Sequence, residues 1–350
     1  MIRIQNIYHM LAYAFHVLHE KGYRSIATEP FENTAELCAA ILIRGITMQI
    51  KRGLHCDYTP RTDLLSTVRG KIDVTKSIKT LSRLRKQIVC SYDDFSVNTT
   101  MNQIIKSTMI LLLRANIKRE RKTVLRKLII YLNKVEIIDL HSVNWLIQYN
   151  RNNQTYRMLI AICHLVVKGL LQTQSDGTTK IMDFMDEQSM HKLYERFILE
   201  YYRQEFTDLT ANASRIPWQL DDGIRDMLPV MQTDIMLSCK GRVLIIDAKY
   251  YGTTTQQQFG VHTLHSNNLY QIFTYVKNKE LELSGTDHKV AGMLLYARTD
   301  ELVLPDNEYQ MSGNRIAVRT LDLNRYFPEI AEQLYRIADS FFEGCPIACT

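Results

Sequence analysis

The segment Asp234-Ile235-Met236-Leu237-Ser238-Cys239-Lys240-Gly241-Arg242-Val243-Leu244-Ile245-Ile246-Asp247-Ala248-Lys249 decides how this chain reads. Its centre, Ser238 to Arg242, is polar and carries a glycine, the composition of a hairpin turn. With the turn on Lys240-Gly241, Cys239 faces Arg242, and counting outward sets Asp234 opposite Asp247. Opposed residues of an antiparallel pair share a face, with Cβ atoms about 5 Å apart. Asp247 and Lys249, two apart on one strand, share that face too. Two carboxylates and an ammonium therefore converge on one patch. Facing like charges cost stability, so the arrangement points to a cation held between them. Mg²⁺ suits such a place, because it takes oxygen ligands, typically one or two carboxylates with water and substrate phosphate. The plain alternative is a surface hairpin with an ordinary Asp-Lys pair. Against it, Val243 to Ile246 is apolar on both faces, as a central strand is, yet ends in charge.

Two helical patterns flank this hairpin in the chain. His191 to Tyr202 carries Leu193, Phe197 and Tyr201 on one apolar stripe, and Glu195 lies beside that stripe. Glu195 reads equally as an exposed helix glutamate or as a third acid directed at the metal. Downstream, Asn268 to Val276 forms another helical pattern in which Gln271 and Tyr275, four apart, share a face. Both are placed to reach a phosphate or the lysine.

Taken together, the order Glu195, Asp234, Asp247-x-Lys249, Gln271-x3-Tyr275 resembles the PD-(D/E)xK nuclease superfamily, including the glutamine-tyrosine helix of its RecB-like branch. More closely, the chain is similar to the McrC family, the nuclease subunits of modified-cytosine-dependent McrBC restriction systems. The matching segments span nearly the whole chain: Asn6 to Ala14, Arg52-Gly53-Leu54 with Asp57-Tyr58, Arg69 to Ile72, Asn102 to Thr108, Glu195-Arg196-Phe197, Thr233-Asp234-Ile235, Leu244 to Tyr251, and Asn268 to Gln271. One departure stands out. The proline common before the superfamily's first acid is not adjacent here, the nearest being Pro229.

The resemblance implies an α+β N-terminal domain followed by an α/β PD-(D/E)xK restriction-endonuclease-like domain, a mixed central sheet flanked by helices. It implies a Mg²⁺-dependent type IV DNA endonuclease, active only with its motor partner. In that reading Asp234, Asp247 and Glu195 bind the metal, Lys249 positions the water, and Gln271 with Tyr275 hold the centre or the phosphate. The partners implied are an McrB-like GTPase ring and double-stranded DNA containing modified cytosine, with the N-terminal part entering the ring and stimulating its GTP hydrolysis. The alternative is a non-catalytic regulatory subunit that stimulates the ring and keeps a degenerate nuclease fold. Every catalytic position is filled by a competent residue, which favours the enzyme. GTP is expected on the partner, since the chain has no G-x4-G-K-[ST] phosphate loop and its only Gly-Lys step, Gly70-Lys71, lacks the upstream glycine.

Composition is that of an ordinary soluble globular protein, with 350 residues, 46% hydrophobic and 23% charged. Such a length accommodates two domains. The boundary is placed at the polar turn Asn150 to Gln154, giving a basic, ring-binding domain 1–151 and a nuclease domain 152–350; the polar stretch Gln172 to Thr179 is the other candidate. Residues 1–151 hold 24 Lys+Arg and 12 Asp+Glu, while the remainder holds 19 and 25. The acidic remainder is expected to bind DNA poorly by itself, because phosphate contacts supply most non-specific affinity. Basic residues concentrate at 76–86 and 114–127, as solvated helix faces or as contacts to DNA or partner.

Seven cysteines without a CxxC pair indicate a reduced, cytoplasmic protein, and Cys345-x3-Cys349 reads as two free thiols. The start Met1 to Asn6 is no signal peptide, and Leu159 to Leu171, broken by His164 and Lys168, is a buried helix and not a membrane span. His262-x2-His265 reads as a loop pair. Trp145 and Trp218 read as core or interface anchors, and Tyr8, Tyr13 and Phe15 of the first helix as core.

The elements expected are helices at about 6–20, 33–50, 99–115, 118–134 and 155–171, strands within 67–73 and 88–97, the catalytic hairpin and its two flanking helices. Strands at 290–297 and 315–323 and a closing helix at 328–342 follow.

Overall fold

The computed structural model describes all residues except 1, 17–22, 24–25, 27–28, 30, 81–83, 85, 151–152, 176–186, 251–255, 259–260, 299–303 and 344–350. Arg83, Arg85, Arg151, Cys345, Cys349 and the end expected for the first helix lie outside the described residues, as does part of 172–179.

The chain packs as two compact units, residues 35–184 and residues 1–34 with 185–350. This division departs from the boundary expected at 151/152, at both ends. Helix α1 (Ile4–Phe15) belongs with the C-terminal part. Its Asn6 Nδ2 donates to the carbonyls of Leu323 (2.7 Å) and Arg325 (2.8 Å), and Tyr13 OH donates to Glu205 Oε1 at 2.7 Å. The Tyr13 ring packs against Phe197, Tyr201 and Phe327. No local sequence pattern reveals such distant partners.

The middle unit begins with α2 (Thr34–Arg52). A three-stranded antiparallel sheet follows, built from β1 (Asp57–Leu65), β2 (Lys71–Ile72) and β3 (Ile88–Ser96) in the order β1-β3-β2. Helix α3 (Val74–Lys79) is capped by Asp73, whose Oδ1 accepts from the Lys76 N–H at 2.9 Å. Helices α4 (Thr100–Arg114), α5 (Arg119–Tyr131) and α6 (Gln154–Ser175) complete the unit. Helix α6 packs on α4, which carries the second boundary beyond 151. Leu125 and Leu128 are the buried positions of α5, and Val124 is exposed.

The other unit resumes with α7 (Glu187–Glu205) and builds its sheet from six strands. These are β4 (Thr210–Asn212), then, after the small pair β5 (Arg215–Ile216) and β6 (Met231–Gln232), β7 (Ile235–Cys239) and β8 (Arg242–Lys249). The pair β9 (Gln256–Gln258) and β10 (Val261–Thr263) leads into α8 (Ser266–Glu282). Strands β11 (Lys289–Ala297), β12 (Asn307–Met311) and β13 (Asn314–Leu321) precede the closing helix α9 (Phe327–Phe341). The sheet order is β12-β13-β11-β8-β7-β4. Strands β8, β11 and β13 run parallel and the other pairings are antiparallel, so the sheet is mixed, with helices packed against it.

Strand period assigns the two faces. Val243 and Ile245 of β8, Val290 and Leu294 of β11, and Ile316 and Val318 of β13 form one core with Ile272, Tyr275 and Val276 of α8. The intervening Leu244, Ile246 and Ala248 are also buried, on the α7 side. Both faces of β8 are covered, which is why its sequence is an unbroken apolar run. At Gly292 a Cβ would sit 2.7 Å from Ile272 Cγ1, so glycine there lets α8 lie close on the sheet.

Candidate active site

The hairpin forms in the register that the sequence sets. Ile235 pairs with Ile246 and Cys239 with Arg242, so the next pair outward is Asp234 with Asp247. The turn residues Lys240 (φ 45°) and Gly241 (φ 79°) both take positive φ, as a two-residue hairpin loop of the primed kind requires. Asp234 stands one residue before β7 and ends the ladder with its side chain, its Oδ2 accepting the Ala248 N–H at 3.0 Å.

Asp247 is 1% exposed and Lys249 7%, unusual burial for two charged residues at a strand end. Lys249 Nζ lies 2.9 Å from Asp247 Oδ2. The contact is one of charge and not an aligned hydrogen bond, and among the described residues neither Asp247 oxygen has a fixed donor directed at it, the facing Asp234 carboxyl reaching it only when protonated. Buried carboxylate oxygens left in this condition are costly. Across the hairpin the Asp234 carboxyl is pushed up to about 8, first by burial and then by the charges of Asp247 and Glu195, with Lys249 opposing. The physical situation is surplus negative charge in a low-dielectric site, a setting that a proton on Asp234 or a bound divalent cation relieves.

Glu195 acts on Asp234 through its charge, but its Oε1 is engaged 2.9 Å from His191 Nε2. Among the described residues no group of three His, Cys, Asp or Glu side chains stands ready to hold a cation. The fit is therefore to a cation that asks two carboxylates of the protein and takes its remaining oxygens from water and phosphate, which is the habit of Mg²⁺. Asp234 and Asp247 supply that pair.

The glutamine-tyrosine face of α8 meets the lysine. Gln271 Oε1 accepts from Lys249 Nζ at 3.5 Å, Gln271 Nε2 donates to Tyr275 OH at 3.0 Å, and Tyr275 OH donates to the Gln232 carbonyl at 3.1 Å. This chain of bonds fixes the ammonium from α8 and anchors it to the backbone two residues before Asp234. Five of the six expected residues, Asp234, Asp247, Lys249, Gln271 and Tyr275, thus form one connected cluster, and Glu195 joins it by charge.

His191 is the member that sequence reading passed over. Its Nδ1 accepts the Tyr250 N–H at 3.3 Å, which leaves Nε2 as the donor to Glu195. One side chain thus ties α7 to the end of β8 and orients the third acid. The available signal was the four-residue spacing from His191 to Glu195 within a helix.

Other expected constellations lie elsewhere. His262 is on β10 and His265 is the N-cap residue of α8. Cys38, Cys56, Cys90, Cys163 and Cys239 carry free thiols. No helix among the described residues is long and apolar enough to cross a membrane. Tyr8 and Tyr13 are buried, as expected, whereas Phe15 is half-buried beneath the Arg196 guanidinium, 5.0 Å from its ring centre.

The chain is similar to known proteins over almost all its length. It is 29% identical over 355 residues to the "Type IV methyl-directed restriction enzyme EcoKMcrBC" of Escherichia coli strain K12, covering 98% of this chain and 99% of the relative. Among solved structures it matches a chain in the tetradecameric assembly of Thermococcus gammatolerans McrB AAA+ hexamers with bound McrC. That match has 16% identity and a TM-score of 0.50, covering 96% of this chain and 75% of that one, and it speaks to the fold. The family model of the McrBC 5-methylcytosine restriction system component matches residues 4–297. The chain belongs to the family of McrBC 5-methylcytosine restriction system components.

Proposed function

We propose that this chain is the endonuclease subunit of a GTP-dependent, methylcytosine-directed restriction complex, hydrolysing phosphodiester bonds of double-stranded DNA with Mg²⁺. The observation that carries the reading is the buried Asp247 carboxylate, opposed by Asp234, 2.9 Å from Lys249 and without a fixed hydrogen-bond donor. The mixed sheet carrying this D-x12-D-x-K cluster supports a PD-(D/E)xK assignment for the C-terminal portion. Family membership and the named relatives support a restriction role beside an McrB-like GTPase ring, which binds the GTP. Ring binding is assigned to the basic unit, residues 35–184, and the complex to the cytoplasm.

Each side chain then has a task. Asp234 and Asp247 hold the cation, and Glu195, steered by His191, assists them. When bound between Asp234 and Asp247, Mg²⁺ would supply Lewis-acid chemistry at the phosphate and acidify water. Lys249 donates toward the attacking water or the phosphate oxygens and offsets the negative charge that develops there. Gln271 and Tyr275 keep the ammonium from swinging onto Asp247 alone. Because Lys249 is preorganised, little reorganisation is needed at the moment of reaction.

The test combines the chain with its GTPase ring, GTP, Mg²⁺ and a methylated duplex. Wild type cuts, and Asp247→Ala lowers the single-turnover rate by about 10³-fold or more while stimulation of GTP hydrolysis persists, since such losses follow removal of one preorganised electrostatic group. Cleavage by Asp247→Ala at the wild-type rate would overturn the nuclease reading and leave the regulatory-subunit alternative.

A further inference from the structure

Lys249 has a neighbour on the next strand that the cluster so far leaves out. Tyr296 of β11 is its register partner, one strand spacing of about 4.8 Å away. Alternation along the strands sets both on the face covered by α8, together with Asp247 and its own partner Leu294. The Tyr296 ring is 0% exposed and packs in the same core as Ile272 and Tyr275 of α8. Its hydroxyl accepts from Asn268 Nδ2 at 3.0 Å, wholly inside the protein. Asn268, itself buried, lies in the first turn of α8, three residues before Gln271. Gln271 in turn accepts from the Lys249 ammonium. Two adjacent strands thus each send a side chain to one helix, Tyr296 to Asn268 and Lys249 to Gln271.

We infer that Asn268 and Tyr296 are positioning residues for Lys249, fixing where α8 sits over the strand ends and so where Gln271 meets the ammonium. The inference rests on the nuclease reading and deepens it. Both side chains are buried away from any substrate, so neither acts as a catalytic group. The two bonds are unequal. The contact from Lys249 Nζ to Gln271 is long, at 3.5 Å, and belongs to a partly buried pair, so it holds the helix weakly. The bond from Asn268 to Tyr296 is shorter and buried, and breaking it strands a buried amide donor. The helix therefore takes its position from the buried bond, and Lys249 finds Gln271 where that position puts it. A second pin holds the far end of α8, where Lys277 Nζ donates to the Ser312 carbonyl and to Asn314 Oδ1, both at 2.7 Å. Of the two pins, the near one shares a strand register with Lys249. A displacement of about 1 Å can cost about 10²-fold in rate, so a helix loosened at this end is felt at the reaction centre.

Cleavage kinetics of the full chain with its GTPase ring, GTP, Mg²⁺ and a methylated duplex test this. Tyr296→Phe keeps the ring and removes only the acceptor, while Asn268→Ala removes the donor. Each is expected to lower the cleavage rate at saturating duplex by about 10- to 10²-fold. The half-saturating duplex concentration and the stimulated GTP hydrolysis stay unchanged. The double variant loses no more than either single one, because the two groups act as one bond. Lys277→Ala, which frees the far end of α8, lowers the melting temperature yet keeps the cleavage rate. Residues that merely stabilise the fold would behave otherwise. Tyr296→Phe and Asn268→Ala would then melt earlier at an unchanged rate, or Lys277→Ala would lose as much rate as they do. Either result overturns the inference. Should Asn268→Ala fail to fold, the volume-matched Tyr296→Phe decides alone. Failure here is separable from failure of the nuclease reading. A wild-type rate in Tyr296→Phe beside an inactive Asp247→Ala removes only the positioning role. Cutting that survives Asp247→Ala removes the nuclease centre and this role with it.

Discussion

The two units bury opposite kinds of chemistry. Residues 35–184 carry 24 Lys+Arg against 11 Asp+Glu, a net of +13, whereas the other unit carries 19 against 26, a net of −7. The basic unit keeps most of its charges outside. Among its described residues it buries only Glu36, which takes the Lys118 N–H and faces Arg121, and Lys106, which donates to the Val135 carbonyl. Its Cys38 and Cys163 thiols are fully buried, and burial pushes both up to about 12, so they stay protonated. The acidic unit instead buries Asp247 and Lys249 at the end of its central strand. Its sheet is covered on both faces, while β1 of the basic unit is exposed along most of its length and its Tyr58 and Phe95 pair across strands with ring centres 5.0 Å apart in solvent. Under the proposed function, the difference separates binding from cutting. One unit then offers exposed positive charge to polyanions or partners, and the other holds the proposed catalytic groups buried at a strand end.

Reversing charge on α5 would break this separation most visibly. Arg119, Arg126 and Lys127 are exposed there, and their joint replacement by Glu is expected to weaken DNA binding of the full chain tenfold or more, with the salt slope falling by about 3. The same readout with intact DNA binding and lost association with the GTPase ring would assign α5 to the partner instead.

Smaller, and confined to the acidic unit, is the effect of Gly241→Ala. The φ of 79° disfavours a side chain, and a Cβ would meet the Asp287 carbonyl oxygen at 2.5 Å. A loss of about 1–3 kcal/mol is expected from strain of this kind, read by denaturant unfolding. No change would mean that the hairpin turn does not hold the acids in register.

The subtlest expectation concerns pH. The Asp234 carboxyl is raised to about 8 in the folded chain, above the ~3.9 of an unfolded aspartate. Between those values the folded state keeps a proton that the unfolded state has released. Its contribution to stability is thus fully present below about pH 4 and is lost as pH rises through about 8. Without metal, the melting temperature of wild type should fall relative to Asp234→Asn over that range, and Mg²⁺ at pH 8 should restore wild type only. Parallel pH profiles would show that the two acids do not share one field.

Much of the acidic unit was legible because its rules are local. A period of two and a glycine turn gave the register that places Asp234 against Asp247, and helical spacing gave Gln271 with Tyr275. The exposed sheet was not legible in detail. Strand β1 contains Pro60, Arg61 and Asp63, lies at a sheet edge and shows no apolar alternation, since neither face is well buried. Strand β12 is likewise a polar edge, Asn307 to Met311. The unit boundaries escaped because α1 is held by residues some 200 to 300 positions away, Glu205 and Leu323 among them. His191 escaped because its role depends on the Tyr250 amide, which only the tertiary fold supplies.

The bond from the Ala248 amide to Asp234 makes the first acid an end-stop for the ribbon as well as a member of the proposed catalytic pair. Removing it would let the hairpin fray by a rung, shifting Lys249 along with the lost charge. Inactivity in a variant at position 234 would therefore conflate chemistry with architecture. The buried Asp247, to which no amide is tied, is the position where a dead enzyme can still be a well-folded one.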